Sequence, residues 1–364
     1  MISWIIGILV ALVLVIEHML RLRRRMTRTP YQDIAAVIQR RESRGKPVGK
    51  VYDFFMSYKS EDVAAVRHVA EHLIAEGLNV WFAEYTILLS DRQGFQDFVD
   101  KGIRQSRYGV CFTNDRYVSS PYCRIEIEQM LDPAICGPEN LIEIRLPSEP
   151  LPHRKYPQLA RSPSVEYSSV VQALQHIRDV SRTPIRPITR PGFPEESRRE
   201  FSYAGRRYSL DLGGWDVEDR PAEPASPGSV YGPKFTQVFG LNEAMGHVIV
   251  GQQDVPRKSV RGGTQDDRAY YDDALNFANT YFHASWKQTC IGAHLLFVQD
   301  FSQVALTTMF RPGVWSRLYS VVVPHPDSAE DTEFAFFFFF KGDFRKFCRH
   351  AYGIDRVVQS LRWV

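Results

Sequence analysis

The stretch "SSPYCRIEIEQML" (119–131) holds two carboxylates two residues apart, Glu126 and Glu128. A pair of carboxylates could divide acid and base work, whereas a single one beside a substrate could stabilise developing positive charge. Spacing favours the single one. Ser120 is a suitable N-cap and Pro121 a suitable first helical residue, so the stretch reads as a helix start. Cys123, Ile127, Met130 and Leu131 then form its apolar face. Glu126 lies at the edge of that face, one turn after Tyr122, and Glu128 falls on the opposite flank as a solvated residue.

Other candidates fail on spacing. "GKPVGKV" (45–51) is one residue short of a phosphate loop, and Val51 stands where a hydroxyl would meet magnesium. "HVAEH" (68–72) matches an H-x-x-E-H zinc pattern. Its two histidines, however, fall on the polar side of a helix with no third ligand evident, so they read as solvated surface residues and no metal is expected. No G-x-S-x-G elbow and no Gly-rich dinucleotide fingerprint are present. Five cysteines, an odd number without a C-x-x-C, fit reduced thiols rather than a disulfide framework.

The elements that must position Glu126 alternate. "KVYDFFMSY", "NVWFAEY", "YGVCFTN" and "LIEIRL" read as strands. "EDVAAVRHVAEHLIAEGL", "GFQDFVDKGIRQS", "PYCRIEIEQML" and "SVVQALQHIRDV" read as helices, the first with an apolar stripe that stops at Gly77. Such alternation predicts an α/β unit with a parallel sheet covered on both faces, and ligands outside the C-terminal strand ends. The first strand ends at Ser57-Tyr58, so Tyr58 and Lys59 fall at that edge, with Ser60 as N-cap of the next helix.

These motifs carry a resemblance. "YDFFMSYKSED", "NVWFAEYTIL" and "GIRQSRYGVCFTNDRYVSSPYCRIEIEQM" occur in the order found in TIR (Toll/interleukin receptor) domains. "SSPYCRIE" is similar to the family's S-x-W-C-x-x-E pattern, with Tyr122 for Trp. The region 48–181 thus resembles a TIR domain of flavodoxin-like topology. In members that cleave NAD between nicotinamide and ribose, the glutamate at this position is catalytic, which implies Glu126 here. The resemblance also implies NAD as substrate with no cofactor, Tyr122 as a pocket wall, Tyr58 and Lys59 near the nucleotide, and Phe82 and Tyr85 flanking the following loop. It implies TIR self-association and a role as an immune (anti-phage) effector activated by clustering. Ala83 replaces a usual Asp, and "LLSDRQGF" lacks the family's Pro-Gly, so a non-catalytic TIR scaffold or adaptor is the alternative. A TIR domain that makes a cyclic or ribosylated nucleotide signal is a third reading.

At 364 residues the chain has room for two globular units, and its 24% charged and 44% hydrophobic residues are ordinary for folded protein. A net charge of +3 without basic–aromatic interleaving gives no reason to expect nucleic acid. Met1 to Leu20 is apolar apart from Glu17 and His18, and Arg21, Arg23, Arg24, Arg25 and Arg28 follow. That order predicts a transmembrane helix (1–20) in the cell (inner) membrane, N-terminus outside and the remainder cytoplasmic, then a helical stalk (21–47). The Pro-rich run 182–199 reads as a linker. Residues 200–364 read as an α+β domain with a mostly antiparallel sheet, faintly similar to PsbP-like domains, with a sensing or regulatory role and its own ligand or partner. There "FAFFFFF" (334–340) is expected as a buried central strand and "DRAYYDDALNFANTYF" as helix.

Overall fold

A computed structural model of the chain describes residues 15–21, a few positions between 29 and 37, 49–87, 95–147, 156–185, 198–203, 206–211, 217–220, 234–241, 246–256, 289–299, 302–311, 313–324 and 330–364. The first unit is a five-stranded sheet in the order β2-β1-β3-β4-β5. Its strands are β1 (Tyr52–Ser57), β2 (Val80–Trp81), β3 (Ser106–Thr113), β4 (Leu141–Arg145) and β5 (Ser164–Glu166). All adjacent pairs run parallel. Helices cover both faces, as a sheet with apolar residues on each side requires. They are α1 (Val63–Ala75), α2 (Ala83–Thr86), α3 (Phe95–Arg104), α4 (Asp115–Ser119), α5 (Pro121–Leu131) and α6 (Val170–Ser181). One core gathers Phe54, Met56, Val66, Leu73, Phe112 and Ile142. On the other face Phe55, Trp81, Val99, Ile103, Ile127 and Met130 pack together.

Several expectations change in detail. The second strand is only two residues long, because "AEYT" turns into the helical α2. Ser60 does not cap α1. A 3-10 turn over Ser60–Asp62 precedes that helix, and the Ser60 hydroxyl donates to Glu61 instead. Ser120 and Pro121 do start α5 as expected, although the Ser120 hydroxyl makes no capping hydrogen bond. The fifth strand was too short to carry a periodic signal.

The C-terminal region builds a seven-stranded sheet in the order β11-β12-β13-β14-β10-β9-β8, antiparallel throughout. Its strands are β8 (Val217–Arg220), β9 (Lys234–Leu241), β10 (Gly246–Pro256), β11 (Thr289–Gln299), β12 (Ser302–Arg311), β13 (Val314–Pro324) and β14 (Glu330–Lys341). The Phe-rich segment is the interior strand β14, with Phe338 and Phe340 buried. A smaller sheet joins β6 (Arg198–Tyr203), β7 (Arg206–Asp211) and the terminal β15 (Arg362–Trp363). Helix α7 (Phe344–Gln359) follows β14 and is capped by Asp343, whose side chain accepts from the Lys346 N–H.

Helix α7 joins the two units by packing against α1. Among the described residues no helix is long and apolar enough to cross a membrane. Residues 1–14 of the expected span, most of the stalk, linker residues 186–197 and the expected helix at 267–282 lie outside the described residues.

Candidate functional site

Three chain segments converge at the C-terminal edge of the parallel sheet. Strand β1 delivers Ser57 as its last residue. Beyond β3, Asn114 caps α4 by accepting from the Tyr117 N–H at 2.8 Å, which fixes Tyr117 facing β1. Helix α5 brings Glu126. A side chain on Gly109 would collide with Met130 Sδ, 2.5 Å from an added Cβ, so the bare glycine in β3 lets α5 lie close on the sheet.

The result is a chain of hydroxyls ending on a carboxylate. Ser57 Oγ donates to Glu126 Oε2 at 2.5 Å and lies 2.6 Å from the Tyr117 hydroxyl. The Cys123 thiol reaches the Tyr58 carbonyl at 3.6 Å and so ties the start of α5 to the end of β1. Burial pushes that thiol up to about 11, which keeps it neutral. Glu126 itself is half-buried. Burial raises its carboxyl to about 7. The Ser57 hydrogen bond opposes that rise, and the neighbouring Asp100 of α3 adds to it. Asp100 is held in place by Gln129 of α5 at 2.9 Å and by Gln96 at 3.0 Å. A carboxyl with this midpoint is ionised in roughly half of the molecules near neutral pH. Glu128 is exposed on the far flank, so the two glutamates do not form a pair.

The other expected site residues divide. Tyr58 is half-buried beside this edge, and its hydroxyl donates to Glu84 Oε1 at 3.0 Å. Lys59 follows it, 3.6 Å from Glu61. Tyr122 is 63% exposed at the start of α5, one turn before Glu126. Phe82 and Tyr85 are fully buried, and the Phe82 ring packs tilted on Tyr58 and edge-on to Tyr85. The Tyr85 ring meets Phe344 edge-on, and its hydroxyl joins Glu71 of α1 and Arg317 of β13. Tyr85 therefore faces the C-terminal unit rather than Glu126.

Residue typing missed Ser57, Tyr117 and Asp100. The signal for Ser57 was its place as the last strand residue. Tyr117 and Asp100 come from α4 and α3, and only the fold brings them near. It also missed Glu84, which burial raises to about 7 against the pull of Arg67 and the Tyr58 hydrogen bond.

A second cluster sits between the units. Arg317 is fully buried and bonds Glu71 and Tyr85, and its Nη1 donates to Asp355 of α7 at 3.2 Å. Asp355 also accepts from Tyr319 and lies 2.7 Å from His68 Nε2. Burial alone would raise Asp355, but Arg317, His68 and Tyr319 together hold it well below the usual carboxylate range. The expectation of solvated histidines on α1 is thus corrected. His68 and His72 are both half-buried, and α7 packs on α1 with Tyr352 edge-on to the His68 ring.

The sequence profile of the TIR domain family matches residues 54–177. That span contains the parallel sheet except the first two residues of β1, together with Ser57 and Glu126.

Residues 54–177 are a TIR domain.

Over 94 residues the chain is 30% identical to "2' cyclic ADP-D-ribose synthase AbTIR" of Acinetobacter baumannii (strain 1295743), a span of 26% of this chain and 34% of that protein. It is 28% identical over 94 residues to "NAD(+) hydrolase TcpA" of Theionarchaea archaeon (strain DG-70-1), covering 26% and 28%. The chain thus spans about a third of the length of the curated relatives it matches. Among solved structures, cyanobacterial PsbP (CyanoP) from Synechocystis sp. PCC 6803 aligns with 48% of this chain and 96% of its own, at 14% identity and a TM-score of 0.32.

Proposed function

We propose that this TIR domain cleaves NAD at the bond between nicotinamide and ribose, with Glu126 as the catalytic carboxylate. The carrying observation is the half-buried Glu126 at the C-terminal sheet edge, held by Ser57 and raised to about 7. TIR relatives named for NAD hydrolysis and for cyclic ADP-ribose synthesis support the substrate class.

The chemistry suits a lone carboxylate. The C1′–N bond breaks and its electron pair goes to the pyridinium nitrogen, so nicotinamide leaves as a neutral molecule without an acid. The ribose becomes oxocarbenium-like. Ionised Glu126 accepts hydrogen bonds from ribose hydroxyls and stabilises the positive charge. Water then adds to C1′ and releases a proton, giving ADP-ribose. Tyr122 stands exposed one turn before Glu126 and supplies an aromatic wall, while Tyr58 and Lys59 bind toward the nucleotide.

The reading extends to a chain anchored in the cell membrane by residues 1–20, with the TIR and C-terminal units in the cytoplasm. Clustering through TIR–TIR contacts activates it, as suits an anti-phage effector, and residues 200–364 supply the sensor or regulator. The test is nicotinamide release by full-length protein clustered on lipid vesicles. Wild type should release it and Glu126→Ala should not; equal release by both rules the assignment out. Self-association without turnover would favour a scaffold. A second reading, in which the domain closes the product into a cyclic ADP-ribose, is favoured by the synthase relative. Chromatography of the product separates it from plain hydrolysis.

A further inference from the structure

We propose that Ser57 and Tyr117 are positioning residues that act through Glu126, a two-hydroxyl chain that orients its carboxylate and sets the pH at which it becomes active. The proposal rests on the NAD-cleaving reading for its activity readout, but its geometry stands apart from it.

Each hydroxyl can donate once and accept as well. With Glu126 ionised, the carboxylate can only accept, so the Ser57 O–H must point at it across 2.5 Å. The Ser57 oxygen is then left to accept from the Tyr117 O–H at 2.6 Å. Ser57 and Tyr117 are both buried, so water does not compete for either hydroxyl. The direction of the whole chain is therefore dictated by the charge at its end. When Glu126 is protonated, its O–H can donate to Ser57 and the chain can reverse. Successive hydrogen bonds in a low-dielectric setting polarise one another, so the far hydroxyl strengthens the near one.

The described groups around Glu126 come from four elements. Ser57 and Tyr58 face it from the end of β1, Tyr117 from α4 and Asp100 from α3, and Cys123 lies on its own helix. Burial pushes the Tyr58 and Tyr117 phenols and the Cys123 thiol upward, away from the neutral range. Asp100 disfavours the carboxylate and Ser57 favours it. Among the described residues, the Ser57 hydrogen bond is what favours the charged form of Glu126.

The test uses the full chain, clustered on vesicles, with nicotinamide release followed against pH. In wild type kcat should rise through an acid limb near neutral pH. Ser57→Ala should move that limb upward by about one pH unit, the size of one hydrogen bond to a charged group. Tyr117→Phe, which keeps the ring, should move it in the same direction by less. In both variants kcat should fall with KM for NAD unchanged. A second readout needs no turnover. The infrared carboxylate band of Glu126, isolated as wild type minus Glu126→Gln, should titrate at higher pH in both variants. If Ser57→Ala does not fold, Tyr117→Phe carries the test alone. An unmoved band midpoint in folded variants overturns the proposal. A band that shifts in a chain that never releases nicotinamide supports the hydroxyl chain and overturns the NAD reading.

Discussion

Two carboxylate clusters in this molecule are buried by different means. At the domain junction, Glu71 and Asp355 share the guanidinium of Arg317, and every charged group there has an opposite or a hydrogen-bonding partner. At the sheet edge, Glu126 has a hydroxyl donor, a like-charged neighbour in Asp100 and, among the described residues, no arginine bonded to it. The first arrangement favours ionised carboxylates inside protein and suits a structural joint. The second leaves a carboxylate poised at the edge of ionisation, which is costly for folding and useful for chemistry. Their pH responses should therefore have opposite signs.

The largest effect should come from breaking the chemistry alone. Glu126→Gln keeps the shape and removes the charge, and NAD cleavage should fall by about a hundredfold or more. In the same assay Asp355→Asn should stay within about a few-fold of wild type, since it touches no reacting group. Comparable losses in the two variants would erase the distinction between the clusters.

Next comes stability at the junction. Arg317→Met leaves Glu71 and Asp355 buried without their cation and should cost about 3–5 kcal/mol in urea unfolding. Full replacement of the cluster by apolar residues of similar volume should restore much of that loss.

The pH dependence sharpens the contrast. The folded-state pKa of Glu126 is raised to about 7, so the native state holds its proton longer than the unfolded chain does. Its contribution to stability is fully present below the unfolded value of about 4.3 and is lost as pH rises through 7. Glu126→Gln should therefore be more stable than wild type above pH 7, by about 1–3 kcal/mol, and no more stable at pH 4. Asp355 runs the other way. Its folded pKa is depressed, so its contribution is present above about pH 4 and is lost as pH falls further. Chemical denaturation of Glu126→Gln and Asp355→Asn at several pH values reads both slopes.

The smallest effect should be at the rim of the junction. His68→Ala removes one partner of Asp355, 2.7 Å away, while Arg317 and Tyr319 remain. About 1–2 kcal/mol of stability should be lost, measurable as a shift in the urea midpoint.

Much of this was legible in the sequence, and unevenly. The alternation of strands and helices from Tyr52 to Ser181 is a local signal, because apolar spacing reports which face of each element is covered. The same is true of the Ser120–Pro121 helix start, and of Glu126 at the edge of the α5 core face with Glu128 opposite. Strand β2 misled because "NVWFAEY" is apolar enough for a strand, yet turns into α2 after two paired residues. The burial of Phe82 and Tyr85 was not legible in the sequence.

The place of Glu126 at the edge of the α5 core face, with Glu128 on the opposite flank, was therefore determined by the sequence itself, through helix spacing. What lies around it was decided by tertiary structure. Ser57, Asp100 and Tyr117 come from three separate elements, and their distances to Glu126 depend on how α3, α4 and α5 dock on β1. The polar face of α1 is the clearest case. Read alone, Arg67, His68, Glu71 and His72 look like a solvated surface. They are buried or half-buried because distant parts of the chain close over them, and Glu84 beside Arg67, Asp355 of α7 beside His68 and Arg317 of β13 on Glu71 supply partners that water would have supplied.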